Sequence, residues 1–470
     1  MLNDILVLLK HELVLVVILF ILLFIRVSAN NWQNPAILNL VNALLLLNVL
    51  AGFFMNAEGT LFSQMFHTNK LILLEKNILN FGTLLISMQA YGWLKVHKHV
   101  LEFYLLLLST LLGLFFMISS GNLLLFYLGL ELSTIPLAAL SNFDLEKKRS
   151  SEAAMKFIMS SAFSSGLLLF GISLVYGSTG SLGFDTIVTH LDGSPMQLFA
   201  FILLLSGFAF KLSVVPFHLW TADVYEGSPV AVTAYLSVIS KGAVFFVLVP
   251  VLYTVFKPLA ANWYRIISLL AVLTMLVGNL FAVRQGNLKR LLAFSSIAQA
   301  GFILVGLSGN SQAGAASVVY FVLIYIFSNL GAFGVVSLIS AATGKENIDD
   351  YKGLHKTNPW LSWTMAISLF SLAGIPPTAG FFGKFFLLIA GGGQGNYWLI
   401  GIAALNMVIS LYYYLRVIKA MFMDTSEHPI EKMNIPLLPD ISLAVCLVGI
   451  VLTGFAGWVY DYIYSLSSML

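Results

Sequence analysis

The sequence predicts an all-α polytopic membrane protein of about 14 transmembrane helices, with two inverted five-helix repeats that each contain a broken helix. Three observations predict it. Of 470 residues, 59% are hydrophobic and only 10% are charged, too little charge for the surface of a soluble protein of this size. Apolar runs recur along the whole length, each long enough at ~1.5 Å per residue to cross a ~30 Å hydrocarbon core. Two of those runs, five segments apart, are interrupted by proline.

The segments lie at 8–27, 35–55, 72–92, 100–118, 121–141, 155–176, 198–219, 229–252, 263–283, 290–308, 313–340, 359–390, 397–422 and 437–460. They are too long for barrel strands and lack an outward-facing alternation. The first, from Met1 to Arg26, has no small-residue cleavage site and reads as a retained helix. The connections are short, with no stretch suited to a soluble nucleotide-binding domain. The glycine-rich GGGQG at 391–395 lies between apolar runs and reads as a loop, not a phosphate cradle.

Loops after odd-numbered segments carry most of the lysine and arginine. They hold Lys95 and Lys98; Lys147, Lys148 and Arg149; Arg284, Lys289 and Arg290; Lys345, Lys352 and Lys356; and Lys419 and Lys432. Lys70, Lys257 and Arg265 are the main exceptions. The positive-inside rule puts the odd loops in the cytoplasm and both termini on the outer, periplasmic side.

Segment 7 carries Lys211 and then Pro216; segment 12 carries GIPPTAG at 374–380 and then Lys384. Proline removes a backbone donor and clashes with the preceding turn, so each run should split into two half-helices. Segments 4–8 and 9–13 then form two units of opposite orientation, because five is odd. Paired interruptions of this kind point to a transporter-like inverted repeat, although prolines are also frequent in membrane helices. The resulting division is residues 1–99 (segments 1–3), 100–255 (first repeat), 256–425 (second repeat) and 426–470 (segment 14).

Most charges sit at segment ends, where long side chains reach the interface. Glu131, Lys211, Lys241 and Lys384 do not. A charge at bilayer depth costs roughly 2.5–3.5 kcal/mol on insertion scales, so four in one chain call for a use. Burial disfavours the charged form of a lysine and a nearby carboxylate favours it. A set of such groups is a chain of coupled titrating sites, which is what a proton path needs. Structural ion pairing remains the alternative for each. Lys156, early in segment 6, is either an interfacial anchor or a relay. His218, just past Pro216, has the chemistry of a relay or of a capping residue. Asp223, Tyr225, Glu226 and Ser228 follow in a stretch that reads as solvated loop. The break beside Lys211 is expected to free backbone groups and admit water.

Other chemistry is weakly supported. A net charge of +3 makes no case for nucleic acid. Cys446 is the only cysteine, so there is no internal disulfide and no cysteine-held iron–sulfur cluster within this chain. His67, His97 and His99 lie in loops without metal-ligand spacing, and no metal site is expected.

The run FYLGLELSTIPL, then EAAMKFIMSSAFSSGLLLFGISLVYG, FKLSVVPFHLWTADVYEGSPVAV, KRLLAFSSIAQAG and GIPPTAGFFGKF, resembles the antiporter-like membrane subunits of NADH–quinone oxidoreductase, respiratory complex I. The motifs span segments 5–12. Within that family a long lateral C-terminal helix marks the L-type sibling, and no room for one follows Leu470. The M-type sibling carries glutamate where this chain has Lys384. The resemblance implies that Glu131 and Lys211 pair in a first half-channel, that Lys241 is the central relay, and that Lys384 leads to the outer side. One departure is Gln299, where many relatives have histidine. A path would then pass that site by water or through segment 11.

The implied function is proton translocation in the bacterial inner (plasma) membrane, coupled to NADH oxidation and quinone reduction elsewhere. NADH, FMN, iron–sulfur clusters and the quinone would be held by other subunits, with no cofactor in this chain. Partners would be sibling antiporter-like and small membrane-arm subunits, together with lipid. A subunit of a multi-subunit cation/proton antiporter, which shares the fold, is the alternative. A non-pumping spacer in the membrane arm is a third reading.

Overall fold

The computed structural model describes residues 2–28, 32–54 and 58–469; Met1 and the last residue of the second predicted segment fall outside them. All fourteen predicted segments are helical. Segment 1 is Leu2–Leu8 and Lys10–Val27, segment 2 is Asn34–Phe54, and segment 3 is Lys70–Gln89 with Tyr91–Leu94. Segments 4, 5 and 6 are Val100–Ile118, Leu123–Ser141 and Lys148–Thr179. Segment 7 is split into Pro195–Leu212 and Leu219–Gly227, and segment 12 into Pro359–Ala373 and Ala379–Gly392. Segments 9, 10, 11 and 13 are Ala260–Val283, Leu288–Leu307, Gln312–Thr343 and Tyr397–Phe422. Segment 14 is Leu437–Phe455 followed by Gly457–Leu466.

Twelve helices among the described residues are long and apolar enough to cross a membrane. Segment 1, with Lys10, Glu12 and Arg26 in one helix, and the halved segment 12 are not among them. The chain is a multi-pass membrane protein. Segments 10 and 11 are buried nearly all round at its centre, whereas segments 13 and 14 turn Leu405, Val408, Tyr412 and Val448 outward. One element was not anticipated. The loop before segment 3 forms a small hairpin, β1 (Gly59–Leu61) antiparallel to β2 (Phe66–Thr68).

Both broken helices end in the left-handed region, at Ser213 (φ 59°) and Gly374 (φ 86°). Ser213 takes a conformation that glycine adopts far more readily. A cis peptide follows each break, at Val215–Pro216 and Pro376–Pro377. Segment 8 is irregular in a way periodicity does not reveal. It contains π-helical turns at Leu236–Ser240 and Val251–Val255, so Lys241 directly follows a widened turn.

Segments 4–8 and 9–13 share local detail. Segments 6 and 11 are both 32-residue helices capped by a left-handed glycine, Gly180 and Gly344. Asn122 and Asn287 cap segments 5 and 10 with their side chains, and each forms an isolated antiparallel bridge, to Gly183 and Asn347. A Cβ on Gly113 would lie 2.5 Å from Ser133 N and 2.8 Å from Gly129 O. A Cβ on Gly278 would lie 2.6 Å from Ala298 N and 2.9 Å from Phe294 O. These contacts are related by one sequence offset, so segment 4 crosses segment 5 as segment 9 crosses segment 10. In both crossings only glycine lets the backbones approach this closely.

A candidate proton path of buried lysines and hydroxyls

Thr134 and Glu131 lie three residues apart on one face of segment 5. Ser161 and Ser165 lie one turn apart on segment 6, which packs beside it. Lys211, buried in the last turn before the break in segment 7, donates through Nζ to Thr134 Oγ1 and, at 3.3 Å, to Ser161 Oγ. Ser165 Oγ donates to Glu131 Oε1 at 2.5 Å. Among the described residues no ion pair joins Glu131 to Lys211. Hydroxyls line both ends of the expected pair, Thr134 and Ser161 on Lys211 and Ser165 on Glu131, and among the described residues no hydrogen bond joins the two ends. Hydroxyls both donate and accept, so this layer can pass a proton while keeping the two charges apart. Lys211 also sits where the negative end of a helix dipole favours a cation.

The break does not leave the freed backbone groups to water alone. Trp220 Nε1 donates to Phe210 O at 3.2 Å, and Val215 N donates to Thr274 Oγ1 at 3.1 Å. Phe157 and Phe210 close over Lys211, their ring centroids 5.8 Å from Nζ.

Lys241 is buried in segment 8 and donates to Ser296 Oγ of segment 10 at 2.9 Å. It shares a small cavity of about 10 Å³ with Gln299, Val322 and Tyr325, close to the least volume that holds one water. Gln299 Oε1 is buried there with no hydrogen-bond partner among the described residues. Gln299 Nε2 donates to Leu372 O at 2.9 Å and to Tyr414 Oη at 3.3 Å. Lys384, 1% exposed, donates to the same Leu372 O at 2.7 Å and to Ala373 O at 3.2 Å. The break in segment 12 supplies these acceptors, because the last carbonyls of Pro359–Ala373 have no intrahelical partner. Gln299, which a path was expected to pass by water or through segment 11, itself donates to the carbonyl that receives Lys384.

Lys211 and Lys384 are not at equivalent positions. Lys211 precedes its break; Lys384 follows the other, and the left-handed caps align Lys211 with Leu372. Between Lys211 and Lys241 no hydrogen-bonded link is found among the described residues. Aromatic rings fill the space: Trp220 lies 5.2 Å from Phe210 and 6.3 Å from Tyr225, whose ring is 5.5 Å from Lys241 Nζ.

Two predicted candidates lie off this line. Lys156, with its side chain 42% exposed, pairs with Glu152 at 2.7 Å and Asp223 at 2.6 Å. Arg290 joins Asp223 at 2.7 Å and Glu226 at 2.8 Å. Asp223 and Glu226 are thus not solvated loop; they sit on the second half of segment 7 in a charge network that ties segments 6, 7 and 10. These ion pairs fit the anchor reading of Lys156. His218 precedes that half-helix, half-buried, and its Nδ1 has no hydrogen-bond partner among the described residues. Ser150 is buried, donating to Ser141 O at 2.9 Å.

Sequence reading missed the hydroxyls, although SSAFSS carries them, and it missed a second buried charge group. Glu12 and Lys76 form an ion pair at 2.6 Å with both side chains almost fully buried. Lys10 and His11 lie buried nearby. The signal was EK at 75–76 inside an apolar run.

A family model described as NADH:quinone oxidoreductase/Mrp antiporter, TM, matches residues 120–410. The chain belongs to this family of antiporter-like membrane subunits. Its relatives include the NADH-quinone oxidoreductase subunit N of Phocaeicola vulgatus, 48% identical over 451 residues, 95% of this chain and 94% of that one. The subunit N of Azobacteroides pseudotrichonymphae is 44% identical over 468 residues, 97% of each chain. Among solved structures, a chain of respiratory complex I from Thermus thermophilus matches with a TM-score of 0.82 and 29% identity, over 96% of this chain and 98% of that one. A chain of the Mrp complex from a Dietzia species matches with a TM-score of 0.85 over 97% of this chain and 96% of that one. At 20% identity that likeness is one of fold alone.

Proposed function

We propose that the chain is a proton-translocating membrane-arm subunit of an NADH–quinone oxidoreductase, of the N type. One observation carries the mechanism. Lys211, Lys241 and Lys384 are each buried, and among the described residues none has a carboxylate ion-pair partner. Each instead faces hydroxyl or carbonyl acceptors, which tolerate the charged and the neutral amine alike. Protons enter the Glu131–Lys211 layer, pass by way of Lys241 and the Gln299 junction, and leave through Lys384. Crossing the aromatic layer between Lys211 and Lys241 requires a movement or an added water. That step is suited to control by the rest of the complex.

NADH, FMN, iron–sulfur clusters and quinone belong to other subunits, and sibling antiporter-like and small membrane-arm subunits are the neighbours. The shared crossing geometry and equal helix lengths support two inverted units, 100–255 and 256–425, flanked by 1–99 and 426–470. The lysine-rich loops support a bacterial inner membrane placement with both termini periplasmic. The Mrp-like fold keeps a cation/proton antiporter subunit as the second reading. Purification under mild detergent tests the choice. NADH- and FMN-binding subunits should accompany the chain; recovery with antiporter subunits alone would overturn the first reading.

A further inference from the structure

A pocket of about 290 Å³ opens on the face that bears the β1–β2 hairpin and is lined by His67, Glu75, Asp185, Phe246 and Pro250 among others. This is the face of the N-terminus, since Leu8 touches Gly59. Glu75 lies at its depth, on the second turn of segment 3. Its side chain is 96% buried, and no hydrogen bond or ion pair is found for it among the described residues. The adjacent Lys76 does not neutralise it by contact, because Lys76 is committed to Glu12 at 2.6 Å. His67 and Asp185 stand at the mouth, and burial holds the His67 imidazole below its ordinary value, partly opposed by Asp185.

One turn further along the same face, Leu79 packs on Gly242, 3.5 Å from where a Cβ would be. Gly242 is the neighbour of Lys241. Phe246, on the pocket wall, is little more than a turn from Lys241 on segment 8. An outward-open pocket with a mostly apolar wall therefore reaches Glu75, one turn before the Leu79 that packs on the neighbour of the central lysine.

We propose that this pocket is a proton port to the hairpin face, with Glu75 as the group that exchanges protons with Lys241 across the Leu79–Gly242 contact. The inference rests on Lys241 carrying protons, as proposed above. In the step, the Lys241 ammonium loses a proton and becomes the amine. A water admitted when Leu79 moves off Gly242 carries it, and the Glu75 carboxylate takes it up as the acid. Glu75 then releases it to pocket water near His67 and Asp185. The path in this chain thus has an opening through segment 3 that is separate from Lys384.

The test uses the assembled complex in vesicles of known sidedness. Glu75→Gln should lower protons pumped per NADH, though less than Lys241→Met because the Lys384 opening remains, with Glu75→Asp between it and the unaltered enzyme. Ile72→Cys, on the pocket wall, should react with a cationic methanethiosulfonate added on the hairpin face, and pumping should fall on reaction. The native Cys446 is buried, so this chain adds no background, and the unaltered complex treated with the same reagent corrects for thiols of other subunits. If Glu75→Gln does not assemble, the Ile72→Cys arm decides. Normal pumping by assembled Glu75→Gln, an unreactive Ile72→Cys, or reaction without loss of pumping would each overturn the port. Normal pumping by Lys241→Met would instead overturn the reading on which the port rests.

Discussion

Gln299 Nε2 and Lys384 Nζ donate to one acceptor, the carbonyl oxygen of Leu372, at 2.9 and 2.7 Å. The amide is neutral and cannot titrate, yet it holds the acceptor on which the last lysine rests. Its own oxygen is left facing the Lys241 cavity. On the proposed path Gln299 therefore orients a group without carrying a proton itself.

Gln299→Leu should remove that orientation while conserving volume. Net hydrogen bonds contribute about 1 kcal/mol each, so a drop of roughly fivefold for one bond lost, and up to about thirtyfold for both, is expected in coupled quinone reduction. Gln299→His should retain most activity, because an imidazole can donate to the same carbonyl. Steady-state turnover of the assembled complex, normalised to flavin, checks both.

The hydroxyl layer makes a second prediction. If Ser161, Ser165 and Thr134 relay between Glu131 and Lys211, Ser165→Ala should act chiefly through Glu131. Glu131→Gln and the Glu131→Gln plus Ser165→Ala double variant should then show similar turnover and the same altered pH profile. Fully additive effects on turnover would mean that Ser165 serves only to pack segments 5 and 6.

Gly113 and Gly278 test the repeat. A methyl group at either meets backbone atoms 2.5 and 2.6 Å away, so helices must separate at a cost of about 1–3 kcal/mol. Gly113→Ala and Gly278→Ala should lower the thermal midpoint of the detergent-solubilised protein by similar amounts. A large effect at one site and none at the other would argue against equivalent units.

Orientation is tested by cysteine labelling at Ser151 and Thr343, both exposed and next to lysine-rich loops. An impermeant reagent should label them only from the cytoplasmic side. Labelling from outside intact cells would invert the path. Ser150, the obvious choice from sequence, is unsuitable because it is buried.

Helix existence and the two breaks were legible in the sequence because both rest on local chemistry: an apolar run of bilayer length, and a proline that removes a donor. The buried lysines were legible for the same reason, since a charge inside an apolar run stands out. What joins them was not. Ser161 and Ser165 look like ordinary small residues of a membrane helix until segment 5 is laid against segment 6. Leu372 gains its role only because its carbonyl is freed by a break and approached by Lys384 from the following half-helix. Asp223 and Glu226 were misjudged as solvated loop because their pairing joins distant parts of the chain. Glu12 was missed because it lies near a segment end, where charge is unremarkable on its own, and Lys76, inside an apolar run, gained its meaning only from that distant partner.

The central claim is that Lys211, Lys241 and Lys384 form one path. The most direct measurement is protons pumped per NADH oxidised in vesicles containing the intact complex. It should be made for each single lysine-to-alanine variant and for Lys211→Ala plus Lys384→Ala. Lys156→Ala serves as control, expected within about twofold of the unaltered enzyme because exposed pairs contribute only ~0.2–1 kcal/mol. Residues that act as a unit are far from additive. The account predicts that each single change lowers the ratio and that the double variant is little worse than the more damaging single one. Independent, multiplicative losses, or unchanged pumping in all three single variants, would contradict it.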